Sequence, residues 1–199
     1  MNNYRYALIA IVSSFLMMVG MIVPSSVFAA KELVVADFDS GSKPNNIGGD
    51  FGAWNRDPED TTQSCVQVFE AEDATKPEGY SLRLTYDVDS PNPAYNGFWM
   101  KLEGEDLSAY NTLNLYVKGD SGKGFSDRVK IELKNFERSA SFILRGITGE
   151  WQKVSIPLEK FNRIGDFTAM NEFVVVFDDI NSNPKSGSIM IDNISFSKE

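Results

Sequence analysis

Histidine is missing altogether from the 199 residues, and cysteine occurs once. Without histidine there is no His-containing catalytic triad, no His-ligated zinc or haem, and no imidazole acid or base near neutral pH. One cysteine makes neither an internal disulfide nor a zinc knuckle. Positive charge is also scarce: 19 Lys and Arg stand against 28 Asp and Glu, a formal net charge of −9. Nucleic-acid backbones are bound by clustered cations that displace counterions, so nucleic acid is excluded as a partner and cations or neutral polymers are favoured.

Long apolar stretches are confined to one place. Arg5 is followed by the uncharged run ALIAIVSSFLMMVGMIV, Ala7 to Val23, which breaks at Pro24. Val27 and Ala29 then occupy the −3 and −1 positions of an A-x-A-like site. This pattern predicts a secretory signal peptide over 1–29, cut after Ala29, with an uncleaved membrane anchor as the other reading. No cysteine stands near the cut, which rules out a lipid anchor there. The expected mature chain, 30–199, is a single secreted or periplasmic domain with no membrane contact after cleavage. Its length of about 170 residues is enough to bury roughly 70% of the extended-chain surface in one core.

In the expected domain, apolar residues alternate with polar ones in short runs bounded by Gly, Pro, Asn, Asp and Ser, which is the strand pattern. Ten strands are predicted: Leu33 to Phe38, Ser64 to Glu70, Tyr80 to Val88, Gly97 to Leu102, Thr112 to Lys118, Arg128 to Lys134, Ser139 to Arg145, Trp151 to Pro157, Glu172 to Phe177 and Ser188 to Phe196. Sustained helical periodicity is absent; short turns are expected near Leu158 to Phe161 and Asp106 to Tyr110. Many short strands with polar turns define an all-β fold, an antiparallel jelly-roll β-sandwich.

Alternation also sorts side chains by face. Leu113, Leu115 and Val117 oppose Asn114, Tyr116 and Lys118; Val129, Ile131 and Leu133 oppose Arg128, Lys130, Glu132 and Lys134; Phe98, Met100 and Leu102 oppose Trp99 and Lys101. The outward set predicts a surface combining aromatic rings with charged and amide groups. Asp39 to Gln63 shows no alternation and reads as a long loop, although its Phe51 and Trp54 argue against plain disorder. Cys65, within SCVQVFE, reads as a small buried residue. GDSGKG, Gly119 to Gly124, lacks phosphate-loop spacing and reads as a hairpin turn. Asp178 and Asp179 are adjacent, so on a strand they point to opposite faces and form no acid/base pair.

Several local patterns then line up in order: DFDS at Asp37, GGDFGAWN at Gly48, YSLRLTYDV at Tyr80, LSAYNTLNLYVKGD at Leu107, VKIELKN at Val129, ITGEWQKVSIPLEKF at Ile147 and GSIMIDNISF at Gly187. In that order they resemble the galactose-binding-like β-sandwich domains, in particular family 11 carbohydrate-binding modules and the complex I intermediate-associated protein 30 family. The resemblance implies a jelly roll that binds polysaccharide or oligosaccharide without cutting it. Its second family implies instead an assembly role with a protein partner on the same face. A small glycan hydrolase or lyase is a third reading, for which no carboxylate pair is marked out.

Sugar recognition needs flat apolar rings for the C–H face of a pyranose and polar groups for its hydroxyls. Trp99, Tyr116 and Trp54 are the candidates for the first, and Lys101, Arg83, Lys130, Glu132 and Asn114 for the second. Trp151, at the start of a strand, resembles a core position of the family. The resemblance also implies a structural calcium where the first and last strands end. Carried onto this chain, its ligands are Asp37, Asp39 and Asp192, with loop oxygens from the Asn45 to Asp50 region; calcium takes six to eight oxygens of mixed kinds. Asp192 alternates with Met190 and Ile194, so it is expected on an apolar face, where a carboxylate needs a partner. Hydrogen bonds from backbone amides are the other way to satisfy it.

Overall fold

A computed structural model describes residues 32–198. The predicted signal peptide, 1–29, lies outside the described residues. Eleven strands are present among those described: β1 Glu32–Ala36, β2 Phe51–Asn55, β3 Ser64–Glu70, β4 Ser81–Asp87, β5 Tyr95–Glu105, β6 Thr112–Gly119, β7 Arg128–Asn135, β8 Ser139–Arg145, β9 Gln152–Pro157, β10 Met170–Asp178 and β11 Ser186–Ser197. One 3-10 turn, Leu158–Lys160, falls where a short turn was expected.

The strands form two antiparallel sheets. One runs β3-β4-β11-β6-β9, with β1 also paired to β11; the other runs β2-β5-β10-β7-β8. The inward residues of the two sheets meet in one core. Leu82 and Leu84 of β4, Leu113, Leu115 and Val117 of β6, and Ile189, Ile191, Ile194 and Phe196 of β11 face Phe98, Met100 and Leu102 of β5, Val129, Ile131 and Leu133 of β7, and Phe173, Val175 and Phe177 of β10. The Tyr86 ring of β4 stacks on Phe177 with centroids 4.0 Å apart and planes at 7°. At the rim of the core its hydroxyl accepts a hydrogen bond from the Ser126 amide (2.8 Å) and donates one to the Pro184 carbonyl (3.1 Å). Cys65 is buried and free, and burial pushes its thiol up to about 12.

Three expectations are corrected. The Asp39 to Gln63 stretch contains β2, whose inward positions are Phe51 and Ala53; Gly52 between them hides the alternation. Gly119 to Gly124 is not a hairpin turn, because β6 and β7 belong to different sheets and the segment arches between them. Asp192 is not on the core face. A bulge at Asn193, with φ 47°, shifts the register between Asp192 and Ser195, so Ile194 returns to the core while Asp192 stays outside with Met190.

Candidate functional site

The outer face of the second sheet carries a groove of about 930 Å³, within the size range of ligand clefts. Strand register decides which residues line it. Gly52, Trp99, Val174 and Glu132 lie side by side across β2, β5, β10 and β7; in the next row stand Trp54, Gly97, Val176 and Lys130. On the other side of the Trp99 row, Lys101, Glu172 and Lys134 are neighbours across β5, β10 and β7. One flank is therefore aromatic and the other charged, with Val174 and Val176 between them.

Each aromatic side chain is placed by something smaller beside it. A Cβ built on Gly52 would come within 3.2 to 3.3 Å of Nε1, Cε2 and Cζ2 of Trp99, so the indole lies over the glycine and is flattened toward β2. Trp54 meets the Tyr95 ring edge-on, with centroids 5.8 Å apart and an interplanar angle of 67°. The Arg56 guanidinium lies 5.2 Å from the centre of that tyrosine ring and donates to the Pro93 carbonyl at 2.8 Å. Tyr95 thus extends the aromatic flank. Its sequence, SPNPAYNG, is rich in turn-forming residues, and the strand predicted from Gly97 begins instead at Tyr95, which pairs with Asp178.

The charged flank is largely self-compensated. Glu172 accepts from Lys101 at 2.6 Å and from Lys134 at 3.3 Å, and Asp178 lies 3.1 Å from Lys130. Burial disfavours the Glu172 carboxylate, yet the hydrogen bonds and charges of Lys101 and Lys134 outweigh it and hold the group below its ordinary value. Asp178 behaves alike: burial is overcome by Asn181 and Lys130. A carboxyl with a lowered folded-state pKa contributes stability that is present above its unfolded pKa and is lost as pH falls through the folded value. Glu172→Gln is accordingly expected to flatten the loss of melting temperature on acidification below about pH 5. An acid limb identical to the parent's, read by thermal denaturation, refutes a stabilising role for this network. Glu132, between Lys130 and Lys134 on β7, has no hydrogen-bond or ion-pair partner among the described residues.

Of the residues singled out from the sequence, the groove brings together Trp54, Trp99, Lys101, Lys130 and Glu132. Tyr116, Asn114 and Arg83 are not among them. They stand on the outer face of the opposite sheet, a sandwich thickness of roughly 10 Å away. Arg83 is engaged by Glu70 (2.8 Å) and Asp120. Asn114 is buried between Ser155 and Ser197, accepting from one at 2.6 Å and donating to the other at 2.8 Å. Tyr116 lines a smaller hollow with Lys76, Lys153 and Asn193. Residues 71–80, which connect β3 to β4, fold over this face. Asp73 holds Lys118 at 2.8 Å and the Trp151 indole N–H at 3.1 Å, and Met190 is buried beneath.

The carboxylates proposed for calcium lie at the edge of that strap. Asp192 is fully buried and accepts from the Thr75 amide (3.0 Å), the Thr75 hydroxyl (2.5 Å) and the Asn193 amide (2.7 Å). Burial, with the nearby Asp39 charge, raises its pKa. Asp39 receives the Lys76 ammonium on Oδ2, while its buried Oδ1 has no partner. Asp37 is committed to the Asn46 amide at 2.9 Å, and Asn45 fixes its loop to the Lys101 carbonyl at 3.0 Å. No group of three or more His, Cys, Asp or Glu side chains suited to a metal ion exists among the described residues. Thr75 and Lys76, which meet Asp192 and Asp39, carried no signal in the sequence.

A two-sheet sandwich with an aromatic-and-polar groove on one sheet face is the form of a ligand-binding module. The family model described as Carbohydrate binding domain 30 matches residues 44–198, and the chain belongs to that family. Among solved structures it is similar in fold to the family 11 carbohydrate-binding module of the cellulosomal cellulase Lic26A-Cel5E of Clostridium thermocellum, with a TM-score of 0.61 and 15% identity over 86% of this chain and 96% of that one. The Clostridium thermocellum family 11 module in complex with a β-1,3-1,4-mixed-linked tetrasaccharide gives a TM-score of 0.61 and 14% identity, covering 85% and 97% of the two chains. An exo-β-agarase matches with a TM-score of 0.59 and 13% identity over 83% of this chain and 25% of that one. No curated protein sequence matches.

Proposed function

We propose that this protein is exported and binds an uncleaved polysaccharide chain in the groove of the second sheet. The observation that carries the reading is the split between its flanks: Trp54, Trp99 and Tyr95 offer ring faces to the C–H side of a sugar, and the β7 and β10 side chains offer hydrogen bonds to its hydroxyls. Against hydrolysis stands the state of two groove carboxyls, Glu172 and Asp178. A glycosidase acid needs a raised pKa, whereas Glu172 is held ionised by Lys101 and Lys134, and Asp178 by Asn181 and Lys130. The carboxyl that burial does raise, Asp192, lies on the other sheet. Affinity electrophoresis through gels containing mixed-linked β-glucan, xylan or mannan tests the proposal. Retarded migration, relieved by free oligosaccharide, is expected; unchanged mobility in every gel overturns it. The mixed-linked glucan comes first because a family 11 structural neighbour holds such a tetrasaccharide.

We also propose a structural calcium at Asp39 and Asp192, with the Thr75 hydroxyl beside them. It is supported by the unpartnered buried Oδ1 of Asp39 and by the carboxylate of Asp192 that burial destabilises. The ion would neutralise both and tie the strap of residues 71–80 to the loop after β1 and to the bulge in β11, displacing the half-exposed Lys76 side chain. A ligand bound only by the native state stabilises it by mass action, so chelation is expected to lower the melting temperature and Asp192→Asn to blunt that response. A parent indifferent to chelator, together with a Lys76→Ala variant that melts earlier, assigns the compensating charge to Lys76 and ends the calcium reading.

A further inference from the structure

We infer that Glu132 is the residue that reads sugar hydroxyls in the groove, and that with Trp99 it frames a binding row for an uncharged glycan. The inference rests on the carbohydrate-binding reading and narrows it to a specificity-determining residue and a charge class of ligand.

The groove is lined by four cationic and four anionic side chains, and its cations are already engaged. Lys101 and Lys134 share Glu172, Lys130 is paired with Asp178, and Arg56 is held by the Pro93 carbonyl and the Tyr95 ring. A uronate or sulfated sugar needs a free cation to replace its lost hydration, and each of the three lysines on this flank is already ion-paired, while Arg56 stands apart beside Tyr95. Glu132 is the opposite case. It is a half-buried carboxylate without a protein partner, so both its oxygens are free to accept. Sugar hydroxyls are donors, and hydrogen bonds to an ionised acceptor are stronger than neutral ones.

Register sets the carboxylate at the right place. Trp99 and Glu132 flank Val174 in a single cross-strand row, two inter-strand spacings or roughly 10 Å apart along the backbone. The indole leans toward β2 and Val174 stands between it and β7, so Glu132 accepts from the hydroxyls of a glycan that continues from the indole across this row. Gly52 completes the row as a positioning residue, since a Cβ there presses on the indole and a branched side chain pushes it further from its seat.

The test uses the purified protein, titrated with mixed-linked β-glucan, or with whichever neutral polysaccharide retains it, and with polygalacturonate as the charged probe. The parent is expected to bind the neutral polymer and not the polyuronate. Glu132→Ala is expected to weaken neutral binding roughly tenfold, Glu132→Gln less, and neither to move the melting temperature. Gly52→Val is expected to weaken binding and shift the tryptophan fluorescence. Glu132→Lys is expected to lose the neutral glycan and to begin retaining polygalacturonate. Parental affinity in Glu132→Ala, where Trp99→Ala fails, overturns the role of Glu132 and leaves the carbohydrate reading standing. Retention of the parent by polygalacturonate overturns the neutral-ligand inference. A parent that binds no glycan removes both.

Discussion

Alanine at position 99 is expected to weaken glycan binding by roughly 1–3 kcal/mol, the loss found when one stacking aromatic is truncated at a binding surface. The fold should barely register the change. Trp99 is half-buried on the outer face of β5, and the side chains that face the core on either side of it, Phe98 and Met100, are untouched by the truncation. Its indole leans on a glycine and an ammonium, with Gly52 beneath one edge and Lys101 Nζ 5.7 Å from the ring centre. Neither neighbour loses a core contact when the ring goes. Titration calorimetry gives the affinity and a thermal melt gives the stability. A variant that binds like the parent shows that the ring is not a platform; one that melts many degrees lower shows that it belongs to the packing.

Gly97→Ala is expected to have the opposite profile, a large loss of stability with binding lost as a consequence. Gly97 stands in β5, directly beside the central strand of the groove sheet. A Cβ there would sit 1.9 Å from the Val175 carbonyl oxygen and 2.9 Å from its carbon. Those are backbone atoms of β10, hydrogen-bonded on both sides, so no rotamer change relieves the overlap. Overpacking of this kind costs about 3 kcal/mol, equivalent to roughly 6–12 °C in melting temperature for a chain of this size. Circular dichroism during heating decides it: an alanine variant that melts with the parent refutes the close approach of β5 and β10.

Much of the sandwich was legible because alternation reports which side chains face a core. Ser64–Glu70 and Ser139–Arg145 were bounded correctly, and the inward triads of β5, β6 and β7 were read without error. Alternation does not report which sheet a strand joins. Tyr116, Asn114 and Arg83 were therefore pooled with Trp99 and Glu132, although β4 and β6 pair with β11 and not with β10. Two local irregularities hid the remainder. Gly52 removed one term from the β2 pattern, and the left-handed Asn193 moved Asp192 to the face opposite the one its spacing implied. Tyr95 was missed for a third reason, that prolines and asparagines around it carry turn chemistry while its strand assignment depends on a partner far along the chain.

The two sheets share a property of assembly order. β10 and β11 follow the other nine described strands, and each is the keystone of its own sheet: β10 separates β2-β5 from β7-β8, and β11 separates β3-β4 from β6-β9. Until Met170–Ser197 is available, the chain has only isolated strand pairs, and two-stranded pieces are marginal in water. Closure of both sheets thus waits for these two strands and is governed by long-range pairing, the slow regime for β-rich chains. A polypeptide with that timing has no groove until β10 has paired with β5 on one side and β7 on the other.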